Sequence, residues 1–578
     1  MRRLAVVLVL CLPMLAQTRN DELHEIFEDY YEDYLRENPE EATSVGRTEY
    51  NDRWRDWSRP ARQQWTERVK LYKSRLDGFD PEALDLQDGI SWRLLRRQLD
   101  LELAGIDYDA YLIRVNQLFG LHTSVLLTMR EMPARTPADY ESMIARLRAV
   151  PAYVEQNIAA LREAVEKGLV QPRWIADLVI GQLDAQAAPT ASESPLLGPF
   201  RNFPASVPDT SREALRTQAE NAYAVAFQPA WRSLRDFLAA DYVPHTRTAP
   251  AVTVLPDGEE IYRHFIRYHT TLPLSAEEIH EIGKREVERI DRAMEAIVRE
   301  AGFEGTIAEY EQHLMSAPEY LFTDKESMLA YHRDLALRVS PGLPRLFRRL
   351  PRHPFGIRAI PPDREAVSAS NYNSPSEDGT RPGWFNLKAY MPERQSRFDK
   401  PALVLHETNP GHHLQIALQL ELEGLPQFRK IFRSTAYVEG WALYAESLGG
   451  ELGVYDDPAS RFGALESERF RARRLVVDTG LHAMGWTRQQ AIDFLGDESE
   501  VDRYIAWPGQ ALAYKLGQLA IKELKALACD AYGADFDVRD FHDAVLRNGP
   551  LPLEMLQERV REYIGKASRE ASGGCPGA

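Results

Sequence analysis

Residues 401–446 read PALVLHETNPGHHLQIALQLELEGLPQFRKIFRSTAYVEGWALYAE, and three histidines and three acids in this stretch set the terms for the whole chain. His406 is followed at once by Glu407, and His412 and His413 come within two helical turns. The arrangement is a widened relative of HExxH, in which two histidines one turn apart hold zinc and the adjacent glutamate takes a proton from the bound water. Here the histidines are separated by six and seven residues instead of four. At roughly 100° per residue a straight helix would put His412 on the side away from His406. His413 would return to the same side but about 10 Å along the axis. An interruption is therefore expected, and Asn409-Pro410 supplies one as an N-cap and first-turn pair, because Pro410 has no N–H for the carbonyl of His406. Either His412 or His413 could be brought back by such a break. The third ligand is expected from the next helix, with Glu439 first and Glu446, seven residues on, as the fallback; Gly449 and Gly450 then end that helix.

Outside this stretch, 471–491 reads RARRLVVDTGLHAMGWTRQQA and 503–519 reads RYIAWPGQALAYKLGQL. Together with HETNPGHHLQ and YVEGWALYAE they resemble the bacterial family catalogued as domain of unknown function 885. That family is regarded as zinc peptidases distantly similar to the helical gluzincins. Earlier matching stretches are NPEEATSVGRTEYNDRWRDWS, LPDGEEIYRHFIRYHTTLPLSAEEIHEIG and DGTRPGWFNLKAYMPER. The resemblance implies a mainly α, two-lobed fold with a deep groove and a small β element beside the metal. The residues added inside the metal motif depart from the gluzincin pattern. A glycine often precedes the second gluzincin ligand, which favours His412 after Gly411, whereas helical facing favours His413; both stay open.

The 578 residues, 44% hydrophobic and 10% aromatic, are enough for a large core. Seventy basic against 87 acidic residues give a net charge of -17, which argues against nucleic acid as a partner. Residues 1–16, MRRLAVVLVLCLPMLA, have the basic start, apolar run and small final residue of a secretory signal peptide, so a periplasmic or secreted protein is expected. The apolar run is shorter than the roughly 20 residues that span a bilayer, and no second membrane segment appears. Leu10 before Cys11 is bulky for a lipoprotein signal. Cys529 and Cys575 are too few for a disulfide framework and are remote in sequence from the metal motif.

Residues 17–566 are expected to form one helical domain, with 567–578 as a flexible tail. Amphipathic helices run from 18 to 180, the first ended by Asn38-Pro39. The Pro-, Ser- and Ala-rich 184–210 reads as a surface loop or lobe connection, and AVTVL at 251–255 as a strand. Ser275 with Glu278 caps a helix to about Glu300. The strand candidate WFNLKAY precedes the metal motif. By analogy with gluzincins, Gly383 to Ala389 would be an edge strand pairing with extended substrate, with Trp384 and Asn386 among the binding residues.

Farther on, Arg474, Asp478 and His482 share one helical face. Either Asp478 orients His482 as an oxyanion donor and Arg474 binds substrate, or the three form a surface ion-pair ladder. From Pro508 a helix should present Gln510, Tyr514 and Gly517 on one side. The resemblance makes Tyr514, with Tyr504 behind it, the phenol that meets the tetrahedral intermediate, and Lys515 is a candidate partner for a substrate carboxylate. The expected reaction is peptide hydrolysis with Zn2+ as cofactor, Glu407 as general base and Tyr514, aided by His482, at the oxyanion. A metal hydrolase of non-peptide amides or esters, and an inactive secreted binding protein, are the alternatives.

Overall fold

The computed structural model describes residues 4–113, 115–361, 365, 369–377 and 379–567, with side chains between residues 21 and 565. The expected leader, 1–16, and tail, 567–578, lie outside the described side chains. The fold is mainly α, and among the described residues no helix is long and apolar enough to cross a membrane. The chain divides into two compact units. The first comprises residues 1–264 with 424–431, and the second 265–423 with 432–578.

In the first unit, α1 (Leu4–Glu37) buries Leu23, Phe27, Tyr31 and Leu35 at four-residue spacing. Each such side chain contributes roughly 1.5–3 kcal/mol on leaving water. Asn38 and Pro39 end the helix as expected, because Pro39 cannot continue the ladder. Helix α2 (Pro137–Glu166) starts from a Thr136–Asp139 capping box. Its inner face packs into a core containing Phe200, Phe227 and Trp231. Leu196, Leu197 and Phe200 belong to that core, so 184–210 is a packed part of the first unit; the change of unit falls instead between His264 and Phe265. AVTVL is not a strand. It closes a local turn of 3-10 helix at Val252–Val254, and the Leu255 N–H donates to the Val252 carbonyl at 3.1 Å.

In the second unit, α3 (Ala276–Glu300) carries the expected Ser275–Glu278 capping box. Three short strands follow: β1 (Phe355–Ala359), β2 (Asn371–Asn373) and β3 (Gly383–Leu387). Their order is β1-β3-β2, with β3 parallel to β1 and antiparallel to β2. The expected edge strand is thus the centre of the sheet, with a partner on each side. His406, His412 and Glu439 lie on α4 (Lys400–Glu407), α5 (His412–Leu420) and α6 (Thr435–Glu446). Beyond them run α7 (Pro458–His482), α8 (Glu498–Ala506) and α9 (Leu512–Tyr532). The last starts at Leu512 and not at Pro508, since 508–511 is a turn in which Gly509 takes φ +79°.

Candidate metal centre

The break between α4 and α5 is tighter than the sequence suggests. Helix α5 restarts at His412 with Gly411, not Asn409, as its N-cap. A Cβ on Gly411 would lie 2.0 Å from the carbonyl oxygen of His406 and 2.3 Å from that of Leu405. Only glycine lets the chain fold directly onto the last turn of α4. The indole N–H of Trp441, on α6, pins the loop by donating to the Pro410 carbonyl at 2.9 Å.

Folding back in this way brings His412 to His406, their ring centroids 4.7 Å apart and nearly perpendicular. Glu439 completes the group. Its Oε2 lies 3.6 Å from His406 Nε2 and 3.4 Å from His412 Nε2, and the three donor atoms all fall within 4.8 Å of one another. Two ligands about 2.0–2.1 Å from a tetrahedral zinc stand about 3.3 Å apart, so these gaps fit donors shared by one cation. Glu439 Oε2 is buried and makes no hydrogen bond, although hydrogen-bonding neighbours are normal for such an atom. His406 Nδ1–H donates to Glu446 Oε1 at 2.7 Å, which turns Nε2 towards Glu439 and His412. Glu446 therefore stands behind the His406 imidazole, the kind of carboxylate that fixes the orientation of metal-binding histidines.

Charge in this pocket is dominated by burial and by the acids. Burial would lower the pKa of His406, but the carboxylates of Glu439 and Glu446 carry it up to about 10. Burial also works against the Glu439 carboxylate, yet the two imidazoles hold it well below its ordinary range. Glu407 is pushed above the usual carboxyl range by burial, with His406 and His412 opposing.

His413 points elsewhere. The Tyr372 hydroxyl donates to its Nδ1 at 2.8 Å, and its Nε2–H donates to the His353 carbonyl at 3.0 Å, so both ring nitrogens are used. Burial lowers its pKa to about 4 and keeps it neutral. Of the two candidates, then, His412 joins the cluster and His413 anchors it to β2. The Tyr372 ring is 6.5 Å from that of His412, so the small β element does lie beside the centre.

Tyr514 stands next to His406, with ring centroids 6.3 Å apart at 19°. Gly440 of α6 and Gly517 of α9 allow this approach, because a Cβ on Gly517 would lie 1.9 Å from the Ala436 carbonyl oxygen. Gln510 lies beside Tyr514, its Nε2 3.4 Å from the phenol oxygen. Arg503, not singled out in the sequence, donates to both.

Other candidates are committed to structure. Asn386 accepts from Arg358 Nε at 2.8 Å and donates to Asn371 and Asn373 at 3.0 and 2.7 Å, tying the three strands together. Trp384 packs against Gly356 and under the Arg358 guanidinium. The face bearing Arg474, Asp478 and His482 is not a surface ladder, for all three are buried. Arg474 donates to Glu500 at 3.1 Å, Asp478 accepts the Gly509 N–H at 3.0 Å, and His482 Nε2–H donates to the Tyr504 carbonyl at 3.1 Å. Together they clamp the segment leading to Tyr514. Lys515 is fully buried against Glu468 and Glu286, at 2.6 and 2.9 Å, and cannot greet a substrate carboxylate.

Fold and cluster together define a mainly helical protein whose second unit carries two histidines and a carboxylate arranged as metal ligands. The family described as "Bacterial protein of unknown function (DUF885)" matches residues 39–560, and the chain belongs to it. Among solved structures, one titled "putative lipoprotein from Colwellia psychrerythraea" is similar at TM-score 0.89 and 27% identity, covering 94% of this chain and 99% of that one. A second, titled "putative lipoprotein of unknown function from Shewanella oneidensis", shares the fold at TM-score 0.71 and 17% identity, covering 93% and 99%. No curated protein matches.

Proposed function

We propose that the protein is an exported zinc-dependent peptidase, with His406, His412 and Glu439 as metal ligands and Glu407 as general base. The observation that carries the reading is the set of three converging donor atoms, one of them a buried carboxylate oxygen without a hydrogen bond. Two histidines and a glutamate are a donor set of catalytic zinc, which leaves a position for water or substrate. When bound, such a cation supplies Lewis acidity and makes a water acidic near neutral pH. Glu407 takes the proton of the attacking water and hands it to the leaving nitrogen. Its burial, by disfavouring the charged form, makes it the stronger base. The Tyr514 phenol donates to the carbonyl oxygen of the scissile bond as negative charge gathers there. The basic, apolar leader and the lipoprotein titles of the structural relatives support a place in the periplasm or envelope.

Metal analysis and turnover test the reading together. The purified protein should hold stoichiometric zinc and cleave peptides in preference to blocked amino acids or acyl esters. Glu407→Gln should keep zinc and the melting temperature while turnover drops about 10²- to 10⁴-fold. Preference for esters would move the assignment to a non-peptide hydrolase. Absence of stoichiometric metal would leave a binding protein.

A further inference from the structure

The Tyr514 hydroxyl lies at the end of a small, ordered hydrogen-bond network. Arg503 Nη2 is 2.9 Å from Gln510 Oε1 and 3.0 Å from Tyr514 Oη. A guanidinium only donates, so one Nη2 proton goes to the amide and the other to the phenol oxygen. With its Oε1 taken by Arg503, Gln510 turns its NH2 group to Tyr514, at 3.4 Å. Both lone pairs of the phenol oxygen are then occupied by donors, and its own proton has to point away from Arg503 and Gln510.

Arg503 is itself held by Glu500, which it meets at 3.3 Å, and Glu500 also accepts from Arg474 at 3.1 Å. The Arg474 guanidinium carbon lies 4.6 Å from the centre of the Tyr514 ring. Two cations therefore share one carboxylate beside the phenol, and the surplus positive charge favours a negative group at the far end of its O–H bond.

We infer that Arg503 and Gln510 are positioning residues that preset Tyr514 as a hydrogen-bond donor to an anionic oxygen at the candidate metal centre. The inference rests on the metal-centre reading above and adds to it how the phenol is kept from acting as an acceptor. Gln510→Glu is the sharpest variant. It keeps the shape and can still accept from Arg503, but the new carboxylate accepts where the amide donated and draws the phenol proton back.

The full-length protein loaded with Co2+ and titrated with acetohydroxamate, followed by the visible cobalt spectrum, tests this without turnover. Tyr514→Phe, Gln510→Glu and Arg503→Met should each weaken the hydroxamate about fivefold or more. Added to Tyr514→Phe, either of the other two should cost less than about twofold further, because all act through one hydroxyl. On a cleaved peptide the same variants should lower kcat about tenfold or more with KM within about twofold. Unchanged affinity and kcat, or losses that multiply with Tyr514→Phe, would overturn the inference. Should Arg503→Met fail to fold, Gln510→Glu decides alone, since it leaves the Arg503–Glu500 pair intact. Failure of the unmutated protein to bind cobalt would instead remove the metal-centre reading, and with it the anion that Tyr514 is set to meet.

Discussion

At the scale of single residues, Gly411 decides which histidine reaches the centre. Counting along a straight helix favours His413, and that count fails because the backbone does not stay helical between Glu407 and His412. The break was legible from Asn409-Pro410. Its depth was not, since it follows from a glycine at which two carbonyl oxygens leave no room for a Cβ, a constraint that no spacing rule encodes. His406, Glu407, His412 and Glu439 could be read as a group because their chemistry is unusual and local. Arg503 could not, because an arginine one turn from an acid looks like any helix-surface pair until the fold sets it, half-buried, beside Tyr514. The two histidines should now separate experimentally. His412→Ala should abolish retention of zinc through gel filtration. His413→Gln should retain zinc and cost about 1–3 kcal/mol in urea denaturation, because it disturbs buried partners at Tyr372 and His353 without removing a ligand. Zinc loss of equal extent in both variants would refute the ligand set.

At the scale of elements, the centre depends on how closely two helices can approach. Helices α6 and α9 cross at Gly440 and Gly517, one residue after Glu439 and one turn after Tyr514. The crossing thus sits beside Glu439 and the Tyr514 phenol. Across the same region, α7 sends Arg474, Asp478 and His482 to Glu500, Gly509 and Tyr504, which fixes the approach to α9 from the other end. The shared face of those three residues was visible in the sequence, but their partners lie 22 to 31 residues later and local periodicity does not identify them. The sheet shows the same limit. WFNLKAY could be recognised as a strand, whereas its central place comes from pairing with Phe355–Ala359 and with the three-residue Asn371–Asn373, and neither pairing is encoded within any one of these stretches. Gly517→Ala should therefore separate α6 from α9. It is expected to cost more than about 2 kcal/mol by denaturant unfolding and to lower zinc affinity although no ligand is changed. Retention of full stability and affinity would show that the crossing is not what sets the centre.

For the whole molecule, acid should loosen the fold before most of its carboxylates protonate. His122 in the first unit, and His332 and His542 in the second, are completely buried. Each donates one ring N–H: His122 to Gln182 Oε1, His332 to the Met328 carbonyl and His542 to the Leu346 carbonyl. Burial lowers their pKa values to about 4, 4 and 3, against about 6.5 in an unfolded chain. Between those limits the unfolded chain binds protons that the folded chain refuses, so stability is complete above pH ~6.5 and falls as the pH drops towards 4. Each histidine contributes at most about 1.4 kcal/mol per pH unit across that window. Glu468 adds a later loss. Burial alone would raise its pKa, but Lys515 and Lys522 bring it down to about 2, so its contribution persists below pH 4.5 and disappears on the way to 2. Urea denaturation of the chelated protein at pH 7, 6 and 5 isolates the histidines from both Glu468 and metal loss. The unfolding free energy should decline by about 1 kcal/mol or more per unit between 6 and 5. A flat profile over that interval would mean that these imidazoles are hydrated in solution and not sealed in the core.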